Sequence, residues 1–538
     1  MRPILALQFS ILFLLLILPQ SSMVSASQQV PNIPQTTTAK DYDFDYANLS
    51  ASIHLRVNNS SQYDDGKTIF TTRRKNNAIN TPGKFYDQYV TLVMDMNGNI
   101  LNTYRTHRNG VYFVDPEMIN STTAVMENDT VFFWNMETGV VQNFPIPAGT
   151  HDLEYNPFTH SFLSKYWSFT GNYSKDGVNY YPILYNDLYE YDMQGNVLWY
   201  WNSTAHFPFN PDLADGGFAI GAFFWMSANS VFWDYSNNLV YLNARSLDTF
   251  YEIDKATGDV NWGLGRLGNF TMYNKRGEQV DSLFYHAHAV EKISDNHFIL
   301  FDNDYHNLTT IANGLGPNVG TPRLVEIEVN TDTMEAHEVW SYTAPSEYFS
   351  INWGDADRLP NGDTLGKFGQ RGVNRIVEVN PAGDTVWNLE LENTSQFEYG
   401  VYRAERFYDN PVVKTSSEDL TMTGNDVTIP VSVWENIKLR HDTPGTVTIS
   451  EGDKTLLNES FVFKRYWQEQ KLNLTVPGLS SGSHVLSLKV TNQDGRSTTL
   501  TINVNSSTSK STPLNSMVMF ASLLVALPLI RRKFYKNS

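Results

Sequence analysis

The chain of 538 residues contains no cysteine. Disulfide bonds are therefore excluded, and so are a cysteine nucleophile and any metal site that depends on thiolate ligands. Without disulfides the protein must be held together by its apolar core, and a chain of this length can form a large one. Aromatic residues are plentiful, with 29 Tyr, 31 Phe and 12 Trp. Because aromatic side chains pack well on a pleated surface, this composition favours a β-rich protein.

Positive charge is also scarce. The 39 Lys and Arg residues face 57 Asp and Glu residues, which gives a formal net charge of −18. This charge argues against nucleic acid or an anionic membrane surface as a partner, since both would be repelled. A glycine-rich phosphate loop of the GxxxxGK type is missing as well. We therefore expect any bound anion to lie in a local basic pocket of an acidic body.

The N-terminus has the pattern of a targeting segment. Arg2 precedes a mostly apolar run, and Val24-Ser25-Ala26 offers small residues suited to cleavage. Residues 1–26 are therefore predicted to be a secretory signal peptide, with an uncleaved N-terminal anchor as the alternative.

The C-terminus joins an apolar stretch to a basic tail at residues 516–538. Positive residues directly after a span are typical of a cytoplasmic tail. The stretch is shorter than the ~20 residues that usually cross a bilayer, so it predicts a short transmembrane anchor or a sorting segment. Residues 506–515 read as a flexible linker before it.

Glycosylation sequons agree with an extracellular location. They occur throughout the body of the chain, for example at Asn48, Asn120, Asn128, Asn172, Asn202, Asn269, Asn307, Asn393, Asn458 and Asn473. The sequence thus predicts a glycoprotein that is secreted across the membrane and held at the cell surface by its C-terminal anchor.

A repeated hairpin pattern dominates the middle of the chain. Each copy has a β-branched and aromatic strand, a turn rich in Asp, Asn and Gly, and a second strand that often carries Trp. The copies begin at Tyr89, Val131, Asp187, Thr249, Arg323 and Arg375. Their spacing leaves room for about two more strands in each unit, and four strands per unit is typical of a propeller blade.

We therefore predict an all-β protein with a six-bladed β-propeller at residues 79–411. Residues 27–78 are polar and show no clear elements. After Asn410-Pro411, short alternating strands predict an immunoglobulin-like β-sandwich at residues 412–505.

The stretch SLFYHAHAVEKISDNHFILFDND, residues 282–304, places His286 and His288 two positions apart. In a β-strand both imidazoles would project from the same face. This spacing would suit a metal site that includes Asp302, Asp304 or His306. It would equally suit a catalytic base or nucleophile. The third possibility is that both histidines are ordinary residues of a strand.

His151, Asn229 and Arg245 are three further candidates for a functional site because of the sequence around them. His151 opens the segment HDLEYNPFTH, and Arg245 falls inside an otherwise apolar strand that follows Asn229. A lone charge there is costly unless it meets an anion or a carboxylate. Arg245 thus belongs either to an anion site or to an internal ion pair, and His151 alone could be a structural histidine.

Four segments, taken together, resemble the arylsulfotransferase (arylsulfate sulfotransferase) family, and they occur in the order typical of that family. They are FYHAHAVEKISDNHFILFDND, SANSVFWDYSNNLVYLNARSLDTFYEIDKATGDVNWGLG, INWGDADRLPNGDTLGKFGQ and VYRAERF. The resemblance extends over about residues 85–407 and leaves out the sandwich. It implies a six-bladed propeller that moves a sulfuryl group from a phenolic sulfate ester to a phenol, with no adenosine phosphosulfate donor and no cofactor.

The resemblance also implies roles for single residues. His288 would be the nucleophile that becomes transiently sulfated, and His151, Asn229 and Arg245 would bind the sulfuryl oxygens. Where the family has a further histidine, two residues before the asparagine, this chain has Ser227. A serine donates a hydrogen bond but carries no positive charge, so His286 is a candidate to take over that part in substrate binding.

Two other functions stay open at this stage. One is a metal-dependent propeller hydrolase or lactonase, which the His-X-His spacing would suit. The other is a catalytically inactive propeller that binds ligands or partners at the cell surface, because a fold alone does not fix a function. His288, Arg245 and Asn229 together favour a pocket that handles anions, since all three are poor choices for a merely packed interior.

Overall fold

The computed structural model describes residues 46–76, 88–107, 115–149, 151–212, 218–219, 221–307, 320–369, 372–416 and 420–506. The predicted signal peptide, the linker (apart from residue 506) and the C-terminal anchor segment lie outside the described residues. None of the helices in the described ranges combines the length and the hydropathy of a membrane span.

Strands make up most of the described residues. The described α-helices are short: α1 (Tyr46–Ala51) and α2 (Ser203–His206). The strands before residue 202 are β1 (Ile53–Asn58), β2 (Lys67–Asn76), β3 (Gln88–Asp95), β4 (Ile100–His107), β5 (Glu117–Asn120), β6 (Thr123–Glu127), β7 (Thr130–Asn135), β8 (Val141–Pro147), β9 (Leu153–Asn156), β10 (Ser161–Tyr173), β11 (Tyr181–Asp192) and β12 (Val197–Trp201).

The strands between residues 218 and 302 are β13 (Phe218–Ala219), β14 (Ala222–Phe224), β15 (Ala228–Asp234), β16 (Leu239–Ala244), β17 (Thr249–Asp254), β18 (Val260–Gly265), β19 (Thr271–Tyr273), β20 (Gln279–Val280), β21 (His288–Lys292) and β22 (His297–Asp302). Those between residues 323 and 407 are β23 (Arg323–Asn330), β24 (Glu335–Thr343), β25 (Asp355–Arg358), β26 (Thr364–Phe368), β27 (Val373–Val379), β28 (Thr385–Glu392) and β29 (Phe397–Phe407).

The C-terminal strands are β30 (Val412–Thr415), β31 (Thr421–Thr423), β32 (Asp426–Trp434), β33 (Thr443–Glu451), β34 (Lys454–Phe463), β35 (Gln470–Val476), β36 (Gly482–Asn492) and β37 (Ser497–Ser506). The predicted all-β class is therefore confirmed for the described part of the chain.

Six sheets follow one another along the described residues up to β29. Their strand orders are β29-β2-β3-β4, β5-β6-β7-β8, β9-β10-β11 with β12, β13 and β14, β15-β16-β17-β18, β21-β22-β23-β24 with β19 and β20, and β25-β26-β27-β28-β1. All six predicted hairpins are present, as β3–β4, β7–β8, β11–β12, β17–β18, β23–β24 and β27–β28.

The N-terminal region differs from the expectation that residues 27–78 hold no clear elements. β2 pairs with β3 on one side and with β29 on the other, and β1 pairs with β28. Strand pairing with partners more than 300 residues away does not depend on a local sequence pattern. β2 thus joins the beginning of this region to its end, while the division of the chain into domains stays a prediction.

In five of the six sheets, one edge strand lies next to an edge strand of a neighbouring sheet. β9 lies beside β15, β15 beside β21, β21 beside β25, and β25 beside β29. Between the sheets lie apolar clusters, one of which includes the fully buried side chain of Trp387. Burial of such a side chain typically contributes about 1.5–3 kcal/mol. These edges bring residues that are far apart in sequence to one place.

The C-terminal strands form two further sheets, β31-β32-β30 with β35 and β34-β33-β36-β37. The two sheets share one apolar cluster, with Val431, Ile429 and Leu474 from the first and Ile449 and Leu488 from the second. In β36, buried residues alternate with exposed or half-buried ones, as in a sheet that has one face on a core.

A segment between β32 and β33 reaches from these two sheets to edge strands of four of the other six sheets. Lys438 contacts Glu291 in β21 and Asp357 in β25, and Arg440 contacts Glu117 in β5 and Glu154 in β9. Two cations of the C-terminal region thus each join carboxylates from two different sheets.

Candidate functional site

A cavity of about 260 Å³ lies where the edge strands meet. Its wall is formed by His151, Trp167, Phe224, Ser227, Ala228, Asn229, Arg245, Ser246, His288, Asn352 and Trp353. Five of the six residues singled out in the sequence therefore lie in one wall, although almost 140 positions separate His151 from His288. His286 is not among the lining residues.

Four of the predicted residues sit at or next to the ends of edge strands. His151 lies just before β9 with φ of 73°, and Ser227 lies just before β15 with φ of 48°. Asn229 is in β15, and His288 is the first residue of β21. Left-handed backbone at a non-glycine residue costs of order 1–3 kcal/mol and tends to occur at functional sites. The fold thus places these side chains at one edge where strands converge.

Asp152 and Arg403 hold the edge strands together beneath the cavity. The Asp152 carboxylate accepts the main-chain N–H of Val231 in β15 at 2.8 Å and a guanidinium N–H of Arg403 in β29 at 2.9 Å. Burial disfavours the charge of Arg403, but Asp152 and Asp115 raise its pKa well above the usual value. The sequence motifs HDLEY and VYRAERF contain this pair, but their spacing alone does not reveal it.

Asn229 is held in place by neighbouring amides. Its Nδ2 donates to the carbonyl oxygen of Ala287 at 2.8 Å, and its Oδ1 accepts from Nδ2 of Asn243 at 2.7 Å. Because an amide nitrogen carries two N–H groups, the bond to Ala287 leaves the second N–H for a ligand.

His288 is almost completely buried, with 2% of its side chain exposed. Its Nδ1 lies 2.6 Å from Oδ1 of Asn303, and the main-chain N–H of Trp353 donates to its Nε2 at 3.1 Å. Burial, and then the nearby Arg245 guanidinium, lower the pKa of His288 well below its usual value. The imidazole is therefore neutral at physiological pH, as a nucleophile must be.

The expectation that Arg245 lies inside a strand is wrong, because β16 ends at Ala244 and Arg245 begins a short 3₁₀ turn that lines the cavity. Nη2 of Arg245 donates to the carbonyl oxygen of Ile351 at 2.6 Å, and its guanidinium lies 5.7 Å from the ring centre of Tyr305. The segment of residues 350–353 thus contacts both Arg245 and His288. A planar guanidinium suits bidentate binding of a tetrahedral oxyanion.

The expectation that His286 and His288 share one strand face is wrong. β21 begins only at His288, and His286 lies before it in a bend with φ of 55°. The main-chain N–H of His286 donates to Asp248 at 2.8 Å, and its ring packs against Tyr305. The alternation of faces holds only within a strand, and His286 is not among the residues that line the cavity.

The residues that could complete a metal site have other contacts. Asp302, which follows the His-X-His pair in the sequence, is bound by the guanidinium of Arg323 at 2.7 and 3.0 Å. Across the described ranges, no three His, Cys, Asp or Glu side chains are grouped so that they could hold a metal ion.

An aromatic part of the wall was not predicted. Trp167 in β10 and Phe224 in β14 meet edge to face, with ring centres 5.9 Å apart, and Trp353 lines the cavity as well. Aromatic residues are common throughout this chain, so nothing in the sequence distinguishes Trp167 and Phe224. The wall therefore combines a neutral imidazole and donors for an anion with aromatic faces.

Comparison with solved structures gives only distant similarities. Kluyveromyces lactis Hsv2 is 7% identical, with 60% of this chain and 82% of that chain covered and a TM-score of 0.26. The periplasmic gluconolactonase PpgL of Pseudomonas aeruginosa is 12% identical, with 62% and 86% covered and a TM-score of 0.28. A putative 6-phosphogluconolactonase from Bacteroides fragilis NCTC 9343 is 10% identical, with 77% and 99% covered and a TM-score of 0.31.

No curated protein matches the chain. A protein-family model does match it: residues 151–403 fit the model described as Arylsulfotransferase (ASST), and this range contains every residue named above as lining the cavity.

Proposed function

Since residues 151–403 carry the arylsulfotransferase family domain, we propose that the protein moves a sulfuryl group from a phenolic sulfate ester to a phenolic acceptor. The family match supports an arylsulfotransferase-type enzyme in general, with aryl sulfates and phenols as its substrates. The observation that carries the finer proposal is the meeting of His288, Arg245, Asn229 and His151 in one cavity wall.

The proposed reaction has two halves. The neutral imidazole of His288 attacks sulfur, the bond between sulfur and the phenolic oxygen breaks, and the phenolate leaves with the electron pair. A sulfohistidine remains until the oxygen of the acceptor attacks sulfur and restores the imidazole. Such a covalent intermediate lets donor and acceptor use one site in turn, which gives ping-pong kinetics.

The surrounding groups match the demands of this chemistry. Sulfuryl transfer should resemble phosphoryl transfer, with charge spread over three equatorial oxygens in a loose transition state. Arg245, the second N–H of Asn229 and His151 would be the donors that bind those oxygens. The carbonyl oxygen of Ile351 now accepts from Arg245, so the sulfuryl group would replace that contact.

Trp167 and Phe224 would hold the aromatic ring of the ester or of the acceptor. Both line the cavity, and their edge-to-face contact holds the two rings against each other. Aromatic rings prefer offset or edge-to-face packing, so a third ring can join such a pair.

The proposal extends to the architecture. The six sheets would be the blades of a six-bladed β-propeller, with the edge strands around its axis, and the two C-terminal sheets an immunoglobulin-like sandwich. The chain would be secreted and glycosylated, and held at the cell surface by its C-terminal segment.

The test is the release of phenolate from a chromogenic aryl sulfate, with and without an acceptor phenol. We expect release that depends on the acceptor and disappears in His288→Ala. The matched control is His286→Ala, which removes an equally buried imidazole two residues away that does not line the cavity.

Other outcomes would replace the proposal. Release that survives His288→Ala but stops with a chelator would indicate a metal-dependent hydrolase. Absence of turnover with a panel of aryl sulfates would indicate a propeller that only binds ligands at the cell surface.

A further inference from the structure

The two nitrogens of the His288 ring are contacted by groups whose hydrogen-bonding roles are fixed. On one side, the main-chain N–H of Trp353 lies 3.1 Å from Nε2. A main-chain N–H can only donate, so Nε2 must present its lone pair to it. The backbone at this turn is tightly constrained, because φ is 74° at Trp353 and 149° at Gly354. A Cβ at Gly354 would lie 2.2 Å from the ring of Phe301, so only glycine fits there.

The other nitrogen is set by Asn303, independently of Trp353's N–H. Nδ2 of Asn303 donates to the carbonyl oxygens of Ser350 at 2.8 Å and of Trp353 at 3.0 Å. Carbonyl oxygens can only accept, so these two bonds determine which end of the Asn303 amide is oxygen. That oxygen lies 2.6 Å from Nδ1 of His288. Since Oδ1 can only accept, Nδ1 must carry the proton.

We propose that Asn303 is a positioning residue that holds His288 in the Nδ1–H tautomer and thereby makes Nε2 the atom that receives the sulfuryl group. The transfer itself rests on the proposed function, whereas the tautomer does not. Asn303 is completely buried, so water does not replace it as the acceptor.

The tautomer matters because the ring changes charge during the reaction. In the structure the lone pair of Nε2 accepts the Trp353 N–H, so this hydrogen bond must break before Nε2 reaches sulfur. When Nε2 then forms the bond to sulfur, the phenolate leaves with the electrons of the broken S–O bond, and the Nδ1 proton stays in place. The ring is then positively charged, and the hydrogen bond from Nδ1 to Asn303 becomes a charge-assisted one. In the second half the phenolate form of the acceptor attacks sulfur, and Nε2 regains its lone pair.

The same amide also supports the cavity wall. Ser350 and Trp353 bracket the segment that contributes Asn352 and Trp353 to the lining. Replacement of Asn303 by aspartate would keep an acceptor for Nδ1 but lose both donors to this segment. Replacement by alanine would lose the acceptor and the donors. Comparison of the two variants therefore distinguishes the effect of losing the acceptor for Nδ1 from the effect of losing the bonds that support the wall.

The direct test needs no substrate. Full-length protein labelled with ¹⁵N-histidine is examined by two-bond ¹⁵N–¹H correlation, and the His288 signal is identified by its loss in His288→Gln. We expect a protonated Nδ1 and an unprotonated Nε2 in the wild type and in Asn303→Asp. Asn303→Ala removes the acceptor for Nδ1 and also both bonds that hold the segment carrying the Trp353 N–H, so in this variant we expect a mixture of tautomers. Asn374→Ala is the matched control, because Asn374 is an equally buried amide that bonds to main-chain groups of β29 instead.

Kinetics supply the second readout. Asn303→Ala should lower kcat on the order of 10²-fold or more, as loss of the correct tautomer does in other histidine-dependent enzymes. Asn303→Asp should keep more activity but shift the acidic limb of the rate to higher pH, because a carboxylate raises the pKa of an adjacent imidazole. Its KM for the aryl sulfate should rise as the wall loosens.

A protonated Nε2 in the wild type would overturn the inference, and so would an unchanged tautomer in a folded Asn303→Ala protein. The wild-type and Asn303→Asp spectra decide the matter if Asn303→Ala does not fold. An Nδ1–H tautomer without turnover of any aryl sulfate would uphold the assigned tautomer and overturn the proposed function instead.

Discussion

His288 owes its protonation state to where it lies. Burial comes first among the causes that lower its pKa, followed by Arg245, with His151 and Arg403 acting in the same direction. The hydrogen bond to Asn303 opposes them. We therefore predict that the acidic limb of phenolate release, plotted as log kcat/KM against pH, lies well below the ordinary histidine value of ~6.5. A limb at or above that value would contradict the assignment of His288 as a buried neutral nucleophile.

The same lowered pKa affects stability. A histidine that stays neutral in the native state takes up a proton only when the chain unfolds. The contribution of the neutral His288 to the free energy of unfolding is therefore fully present above the unfolded-state pKa of ~6.5. This contribution is lost as the pH falls below that value.

Ser227 should determine which donors react well. It lines the cavity at the position where the sequence resemblance leads us to expect a histidine, and a hydroxyl cannot supply a positive charge to a departing phenolate. We predict that Ser227→His increases kcat/KM for aryl sulfates with basic, poor leaving groups more than for those with acidic ones. Histidine is among the residues that adopt positive φ more readily, so the φ of 48° at this position tolerates it.

The measurement is the slope of log kcat/KM against the leaving-group pKa. Ser227→Ala is the control for removal of the hydroxyl alone and should leave the slope close to that of the wild type. An equal or steeper slope in Ser227→His would refute the idea that leaving-group stabilisation is limiting.

Most of the residues that line the cavity wall and carry polar groups could be predicted from the sequence, but the position of His286 and the aromatic residues could not. His151, Ser227, Asn229, Arg245 and His288 could be chosen because their motifs keep a characteristic order, and the structure brings them into one wall. His286 was misplaced because a bend before β21 breaks the alternation of faces. Trp167 and Phe224 could not be chosen, because only the tertiary structure separates lining aromatics from the many packed ones.

Among the strands, β2 is the one that joins the N-terminal part of the region to β29 at its other end. It pairs with both β3 and β29, whereas β1 is an edge strand that pairs with β28. We predict that a chain beginning at Ser60, which lacks β1, still unfolds cooperatively with a lowered Tm. A chain beginning at Gln88 lacks β2 as well and leaves β3 and β29 with unpaired edges, so we expect it to lose cooperative unfolding.

Thermal unfolding followed by far-UV circular dichroism distinguishes the two truncations. Equal melting curves for the chains that begin at Ser60 and Gln88 would show that β2 does not join the two ends of this region. The hairpins were predictable because a turn and its two strands are adjacent in sequence. β1 and β2 were not, because their partners lie at the opposite end of the region.

In the molecule as a whole, buried ion pairs connect the C-terminal region to four of the other six sheets. Arg440 is a tenth exposed and contacts Glu117 and Glu154 from two different sheets. Burial raises the pKa of Glu117 to about 7, although Arg440 acts against this shift. Removal of the guanidinium would leave both carboxylates buried without their cation, and breaking a buried pair in this way typically costs about 3–5 kcal/mol.

We therefore predict that Arg440→Met lowers the free energy of unfolding by about 3–5 kcal/mol at alkaline pH, where the carboxylates are charged. The deficit should shrink as the pH falls through the raised carboxyl pKa, because protonation removes the unpaired charges. Denaturant titrations at several pH values measure this. Arg496→Met is the control, because its pair with Glu137 is largely exposed and should change stability by less than about 1 kcal/mol. A similar, pH-independent loss in both variants would contradict the proposed joining role.

Sulfation of His288 can be observed directly in the mass of the protein after a short reaction with an aryl sulfate and no acceptor. We predict one added SO₃ group on His288, located by peptide mapping at neutral to alkaline pH. The group should be lost when a phenol is added and should be absent in His288→Ala. Turnover without any added group, or an added group on a residue other than His288, would contradict this prediction.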